Sequence, residues 1–413
     1  MHKVIVFPCG SQVAQEVSDS LYGRRDIYLV GVGSPNTPAY GSYDTIRRIR
    51  SSVGCNKLPR DLGRVASEFG AQFIFACNDS AQLQLSKSSM KRMLVGSEYK
   101  TCKSLSLKSK TYAALRGRVP VPSMGKQLRP PLFIKPDHGS GSKGCRVART
   151  WEEASRIADG EIACEFIEGA EFTTDCFTDR QGKVLVCRSR LREEMRNGMS
   201  VRASAHESKT LEDYASIISA TFGIRGAWFF QSIRRRDEYV VIEVNPRIAS
   251  CSSITRASGA NLALMSIMDK TGMQLDTMLG CSIPRQTKVL SSEIEISQDF
   301  DELFVDFDDC LIVRGTVNTN LVSFVYDCRN RGKKVTVISK HKGNLMDKLE
   351  AARILSAFDR VIHIKPSDRK AEHLHRSALL IDDSFREREE ASSVCQCLSP
   401  DIFNHGRVLL PPR

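Results

Sequence analysis

The chain has no apolar run long enough to cross a bilayer, so no membrane-spanning helix is expected. Its opening residues, MHKVIVFPCGSQVAQEV, turn polar after a short apolar stretch and carry no small-residue cleavage motif. They read as a first β-strand, not a secretory leader. CxxC pairs and Cys/His clusters at zinc spacing are missing. The 14 cysteines are scattered singly, with Cys395 and Cys397 the only close pair. That pattern predicts reduced, buried thiols in a cytoplasmic setting. Internal repeats, heptads and low-complexity segments are also missing, which excludes solenoids and coiled coils. Aromatics are only 7% of the chain and do not interleave with the basic residues, and no DNA- or RNA-binding motif occurs.

What remains is a globular composition: 413 residues, 41% apolar and 26% charged, enough for two or three domains with their own cores. The net charge of +12 is uneven. Residues 301–413 hold 18 basic against 17 acidic side chains, and residues 1–300 hold 42 against 31. The excess in the first part suits a polyanionic ligand. A basic surface plus a nucleotide site accounts for it most simply, so nucleic acid is not the expected partner.

Three rhythms divide the chain into 1–95, 96–297 and 298–413, giving an α/β and α+β multidomain class. In the first, strands (KVIVFP, DIYLVGVG, AQFIFACN) alternate with helices (QVAQEVSDSLY, LGRVASEFG), the pattern of a small doubly wound unit. Its first turn has Gly10 and Ser11 but no full GxGxxG, so no dinucleotide site is expected there. In the second, LFIKPDH, IACEFIE, EFTTDCFTD, VLVCRSR and YVVIEVN read as antiparallel strands, with helices at WEEASRIA and TLEDYASIISATFG. The arginine-rich stretch 190–207 reads as loops lining an acceptor side, with His206 a candidate contact. In the third, LFVDFD, KVTVIS, RVIHI and ALLID alternate with TNLVSFVYDCRN, NLMDKLEAARILSAF and KAEHLHRSA. Short connections between them favour a parallel sheet.

Three pieces of the middle region carry chemistry. FIKPDHGSGSKGCRV places lysines beside a glycine-rich turn whose backbone amides can approach phosphate closely. EFIEGAEFTTD sets acids around an apolar strand and turn. Gln231 precedes EVNPR, in which Glu243 and Asn245 share one strand face, a usual source of oxygen ligands for Mg²⁺. Together with LKSKTYAALRGRVPVP and VVIEVNPRIASCSSITRASGANL, these segments resemble the ATP-grasp superfamily over residues 1–290. The similarity is to one ATP-binding half of the carbamoyl-phosphate synthase large subunit.

By that resemblance, Lys108 and Lys135 contact ATP phosphates and the loop Gly139, Ser140, Gly141, Ser142 and Gly144 folds over them. Glu165, Phe166 and Ile167 form the adenine hinge, and Glu168 holds the ribose. Gln231, Glu243 and Asn245 hold Mg²⁺, with Mn²⁺ as the alternative. Arg247 meets the transferred phosphoryl group. The implied reaction activates a carboxylate as an acyl phosphate, which an amine or thiol then displaces. The chain carries one ATP-binding unit and no glutaminase region. The expectation is therefore a ligase of a small-molecule carboxylate with an amine or thiol, and not carbamoyl-phosphate synthesis. GAWFFQ also departs from the smaller residue that the family often has before the glutamine.

In the third region, four strand ends offer Asp306 and Asp308, then Ser339, then Lys370 with Lys365 nearby, then Asp382 and Asp383. Order and placement resemble the haloacid dehalogenase superfamily of phosphotransferases over residues 300–392. The resemblance implies a Rossmann-like fold and makes Asp306 the nucleophile and Asp308 the acid/base group. Ser339 and Lys370 hold the phosphoryl oxygens, and Asp382 with Asp383 completes a Mg²⁺ shell shared with Asp306 and Asp308. Cys310 stands where threonine is usual. The motifs lie 33 residues apart (306 to 339) and 31 apart (339 to 370), leaving no room for a cap domain, so an open site is expected. A phosphorylated metabolite would be its substrate. Two further readings stay open: a ligase with an inert C-terminal scaffold, and a nucleic-acid-binding protein.

Overall fold

The structure is a computed structural model that describes residues 1–125, 128–139, 143–196, 198–275, 283–288, 292–296, 298–403 and 406–410. It divides into two compact units, Met1–Lys288 and Val289–Arg413.

In the first unit, β1 (His2–Phe7), β2 (Ile27–Gly33), β3 (Thr45–Arg48) and β4 (Phe73–Ala76) make a parallel sheet in the order β3-β2-β1-β4. Val4–Phe7 and Phe73–Ala76 are wholly buried, as parallel strands covered on both faces should be. The helix Gln12–Leu21 packs on one face, and Leu58–Phe69 packs on the other. The Ser11 hydroxyl caps the former by accepting from the Ala14 amide.

A second sheet, in the order β6-β5-β7, joins β5 (Leu132–Pro136), β6 (Arg146–Ala148) and β7 (Glu161–Glu165) antiparallel around a small core of their own. The third sheet comprises β8 (Ala170–Thr178), β9 (Val184–Arg196), β10 (Met199–His206), β11 (Gly226–Arg235), β12 (Glu238–Asn245) and β13 (Arg285–Thr287). It is antiparallel throughout, ordered β12-β11-β8-β9-β10-β13. The helix Lys209–Phe222 lays Leu211, Ala215 and Ile218 against Phe172, Trp228 and Phe230 of this sheet.

Residues 190–196 and 199–206 are therefore not loops but paired strands of the β9–β10 hairpin. The strand is hard to recognise because Arg190 and Arg192 occupy its buried face where apolar residues are normally found. Both are neutralised from β8. Arg190 pairs with Asp175, and Arg192 Nη1 donates to Glu171 Oε2 at 2.7 Å. His206 is occupied as well: its Nε2 lies 2.7 Å from the Tyr239 hydroxyl, and its ring packs on Phe172.

In the second unit, the strands are β14 (Ser292–Glu295), β15 (Glu302–Val305), β16 (Ile312–Val313), β17 (Thr316–Val317), β18 (Lys334–Ser339), β19 (Arg360–His363), β20 (Ala378–Ile381), β21 (Gln396–Leu398) and β22 (Gly406–Leu409). Five of them form a parallel sheet ordered β19-β18-β15-β20-β21. Its direction of travel reverses between β15 and β20, which makes the carboxyl ends of those strands the natural place for a site. The helix Leu345–Ala351 is shorter than the sequence suggests, and Arg353 just beyond it adopts the left-handed conformation at φ 58°. The segment 370–378, expected to be helical, has only a single 3₁₀ turn, Lys370–His373. It lacks an apolar period of its own, and the Lys370 side chain is drawn into the sheet.

Candidate functional site

In the first unit, a cleft of about 520 Å³ including its open mouth is lined by Asp79, Lys108, His138, Gly139, Glu243 and Asn245 among others. The start of helix Lys108–Leu115 is fastened to the end of β5 by Asp137. Its carboxylate accepts from the Ser109 amide and hydroxyl, and its carbonyl accepts from the Lys108 amide. Lys108 Nζ is thereby aimed across the cleft, where it donates to the Gly139 carbonyl at 2.6 Å and lies 3.8 Å from Glu243 Oε1. Gly139 has φ 132°, a conformation that favours glycine.

Gln231 and Glu243 are direct cross-strand partners, and Asn245 lies two residues along β12, so the three share one sheet face. Lys135 is buried, and Nζ donates to the Tyr112 hydroxyl at 2.6 Å. Burial lowers its pKa, and the opposing influence of Glu243 does not offset it. Arg247 grips Asp79 with two parallel bonds of 2.7 and 3.0 Å and lies over the Phe229 ring. Burial opposes its charge, but Asp79 more than offsets that and keeps the guanidinium protonated.

The segment after β7 is mixed in character. Ile167 is buried, Phe166 half-buried and Glu168 exposed. The Glu165 carboxylate accepts from the Ser123 amide at 3.0 Å and from Arg235 at 3.1 Å. Gly144 turns the chain at φ 76° against Pro136. Ser140, Gly141 and Ser142 lie outside the described residues.

The second unit gathers its candidate residues tightly. Lys370, almost fully buried, donates to Asp382 Oδ2 at 2.5 Å and sits 2.9 Å from Asp306 Oδ1. Burial alone would lower its pKa, but the two carboxylates outweigh that and raise it. Burial pushes Asp306 up to about 6 despite Lys370. The buried Ser339 hydroxyl closes the group by bonding Asp306. The Asp308 carboxylate, half-exposed, receives His341 Nδ1 at 2.9 and 3.0 Å. Asp382 Oδ1 accepts from the Ser384 amide at 2.9 Å, so both its oxygens are occupied.

Both donor sets fit a hard divalent cation. In the first unit, two amides and a carboxylate face one way from β11 and β12. In the second, Asp306 Oδ1 is buried without an aligned hydrogen bond, and ligand atoms of Asp306, Cys310 and Asp383 lie within 4.8 Å of one another. Carboxylate oxygens suit Mg²⁺, whereas the Cys310 thiol does not. The thirteen described cysteines are free thiols. No described helix is long and apolar enough to cross a membrane.

Sequence reasoning missed Asp79, Tyr112 and His341. Asp79 and Arg247 are separated by 168 residues, and Tyr112 and Lys135 by 23, distances over which no local period operates. His341 follows Ser339 by two residues and so shares its strand-end position, a signal that could have been read.

Residues 105–251 match the ATP-grasp domain family. Over 171 residues the chain is 29% identical to the carbamoyl phosphate synthase large chain of Methanothrix thermoacetophila, covering 37% of this chain and 16% of that protein. The aligned part is thus a small fraction of that relative. Among solved structures, the biotin carboxylase domain of 2-oxoglutarate carboxylase from Hydrogenobacter thermophilus, in complex with MgADP, ADP and bicarbonate, superposes with TM-score 0.55 at 17% identity. That match covers 66% of this chain and 70% of the other. An L-amino acid ligase from Bacillus licheniformis gives TM-score 0.53 at 16% identity, covering 65% and 74%. These likenesses establish an ATP-grasp domain on a mixed α/β fold.

Proposed function

We propose that the first unit, Met1–Lys288, forms an ATP-dependent ligase that activates a small-molecule carboxylate and transfers it to an amine or thiol. A carboxylate oxygen attacks the γ-phosphorus of ATP, ADP departs, and the nucleophile displaces phosphate from the resulting acyl phosphate. The observation that carries this reading is the meeting of Lys108, Gly139, Glu243 and Asn245 in one cleft of an ATP-grasp domain. Lys135, buried and with its ammonium on the Tyr112 hydroxyl, is placed to receive a phosphate group. Lys108 spans from the glycine turn to the acidic face, a position suited to bridging phosphate and metal ligands. Arg247, held flat by Asp79 and donating from Nη1 to the Ile248 carbonyl at 3.1 Å, keeps one N–H on each terminal nitrogen for the transferred group. Mg²⁺ on Gln231, Glu243 and Asn245 would supply neutralisation of the phosphate charge.

For residues 298–413 we propose a phosphotransferase of haloacid dehalogenase type acting on a phosphorylated metabolite. Asp306 attacks phosphorus and becomes an aspartyl phosphate. Asp308 protonates the leaving oxygen and then takes the proton of the attacking water. Lys370 and Ser339 steady the phosphoryl oxygens. Asp383 is the better placed of the two late acids to complete a cation site, since both Asp382 oxygens are already bonded.

The test is release of ADP and free phosphate from ATP·Mg²⁺ with a panel of amino and hydroxy acids. Acid-dependent ADP formation should disappear in Glu243→Ala. Phosphate in excess of ADP should disappear in Asp306→Asn alone. Equal ADP and phosphate in both wild type and Asp306→Asn would favour an inert C-terminal scaffold. ADP release that no acid stimulates would count against the ligase.

A further inference from the structure

A second concave surface of the first unit lies apart from the cleft. It encloses about 1520 Å³ including its mouth, among helix Asp79–Ser86 and the turn after it, residues 94–100, the β8–β9 turn, the start of β11 and helix Leu262–Lys270. Lys87, Lys91, Arg92, Lys100, Arg225 and Lys270 line it, together with Arg180, whose side chain donates to the Gly272 carbonyl at 2.7 Å. Only two carboxylates line it in return, Glu98 and Asp269. Asp269 is engaged, accepting from the Arg180 amide at 3.1 Å.

None of those six cations has an ion-pair partner among the described residues. Elsewhere in this unit the arginines that matter are matched: Arg190 by Asp175, Arg192 by Glu171 and Arg247 by Asp79. Lys270 shows the imbalance most clearly. Its ammonium donates to the Leu94 carbonyl at 2.8 Å, and partial withdrawal from water lowers its pKa. Like charges converging on a hollow repel one another unless something negative occupies it. The basic excess of residues 1–300 is thus partly concentrated here, away from Lys108 and Lys135.

We propose that this pocket is a binding site for a small anion carrying two or more phosphate groups, separate from the catalytic cleft. Its shape selects the class. The cations approach from several segments around a hollow, whereas a nucleic-acid track would spread them along one face with aromatic platforms. Tyr99 is the single aromatic residue in the lining. Two or more phosphates match a charge of six cations better than one does.

The probe is inorganic tripolyphosphate, titrated calorimetrically without Mg²⁺ into the intact chain. Lys91 and Arg92 are both exposed, so Lys91→Glu/Arg92→Glu leaves the fold intact. Binding should persist in Lys135→Met and weaken at least ~10-fold in Lys91→Glu/Arg92→Glu, with a steep dependence on salt. In the unaltered chain, tripolyphosphate should shield Lys100 and Lys270 from amine acylation as read by mass spectrometry. Undetectable binding, or equal affinity in the double variant, overturns the site. So does binding lost only in Lys135→Met. Single-stranded RNA bound through Lys91 and Arg92, with tripolyphosphate ignored, overturns the small-ligand class in favour of nucleic acid.

Discussion

Lys135 and Lys370 are both buried lysines at strand-end sites, and they stand in opposite electrostatic conditions. Lys135 faces a phenol and a carbonyl, and burial lowers its pKa. Lys370 lies between two carboxylates that raise its pKa against burial. The first site therefore holds a buried lysine with no ion-pair partner among the described residues, beside a Lys108–Glu243 pair 3.8 Å apart. The second holds Asp306, Asp308, Asp382 and Asp383 around one lysine and is short of a cation. The same residue type thus serves as an anchor for incoming charge in one unit and as a structural counter-ion in the other.

That contrast breaks most visibly at Lys370. Lys370→Ala leaves two buried carboxylates unpaired and should destabilise residues 289–413 by about 3–5 kcal/mol. Chemical denaturation checks this, and adding Asp306→Asn should recover part of the loss. An unchanged midpoint would mean that Lys370 is no counter-ion. Lys135→Met is the mirror test. Stability should shift by less than about 1 kcal/mol, because no carboxylate is stranded. ADP binding, by titration calorimetry, should weaken ~10–100-fold through loss of a charged hydrogen bond. Arg247→Lys keeps the charge but loses the two-pronged grip on Asp79. A fall of ~5–10-fold in kcat/KM of the ligation is expected, with stability nearly unchanged.

The smallest effect concerns Glu161, on the small sheet beside the cleft. Its pKa is lowered to about 2, mainly by hydrogen bonds from Arg146 and then by the Ala158 amide. A depressed folded-state pKa contributes stability above the unfolded value of 4.5, and that contribution is lost as pH falls toward 2. The pair is solvent-screened, so Glu161→Gln should cost about 0.5 kcal/mol at neutral pH. The difference from wild type should vanish in acid unfolding curves near the folded pKa.

Much of the architecture was legible in the sequence, because strands such as VIVF and LFV are continuous apolar runs bounded by turns. The four strand-end motifs of the second unit were legible because each sits next to such a run. What local pattern cannot convey is which distant group completes a charge. Asp79 for Arg247 and Tyr112 for Lys135 are contacts made by folding, not by spacing. The far half of β9, read as loop together with β10, failed for the same reason. Its buried face is written in arginines, whose acids lie on another strand.

That buried charge has a consequence for how the hairpin finds its pairing. In the register observed, Arg190 sits opposite Thr173, within reach of Asp175 two residues along. A slip of β9 by one residue would turn Arg190 and Arg192 outward and leave Asp175, which has no solvent exposure, without a counter-charge. Aliphatic side chains tolerate misalignment with a modest loss of packing, whereas an abandoned buried carboxylate does not. The arginines thus act as a proofreading device that makes neighbouring registers prohibitive, so the sheet beneath the cleft has a single alignment available to it.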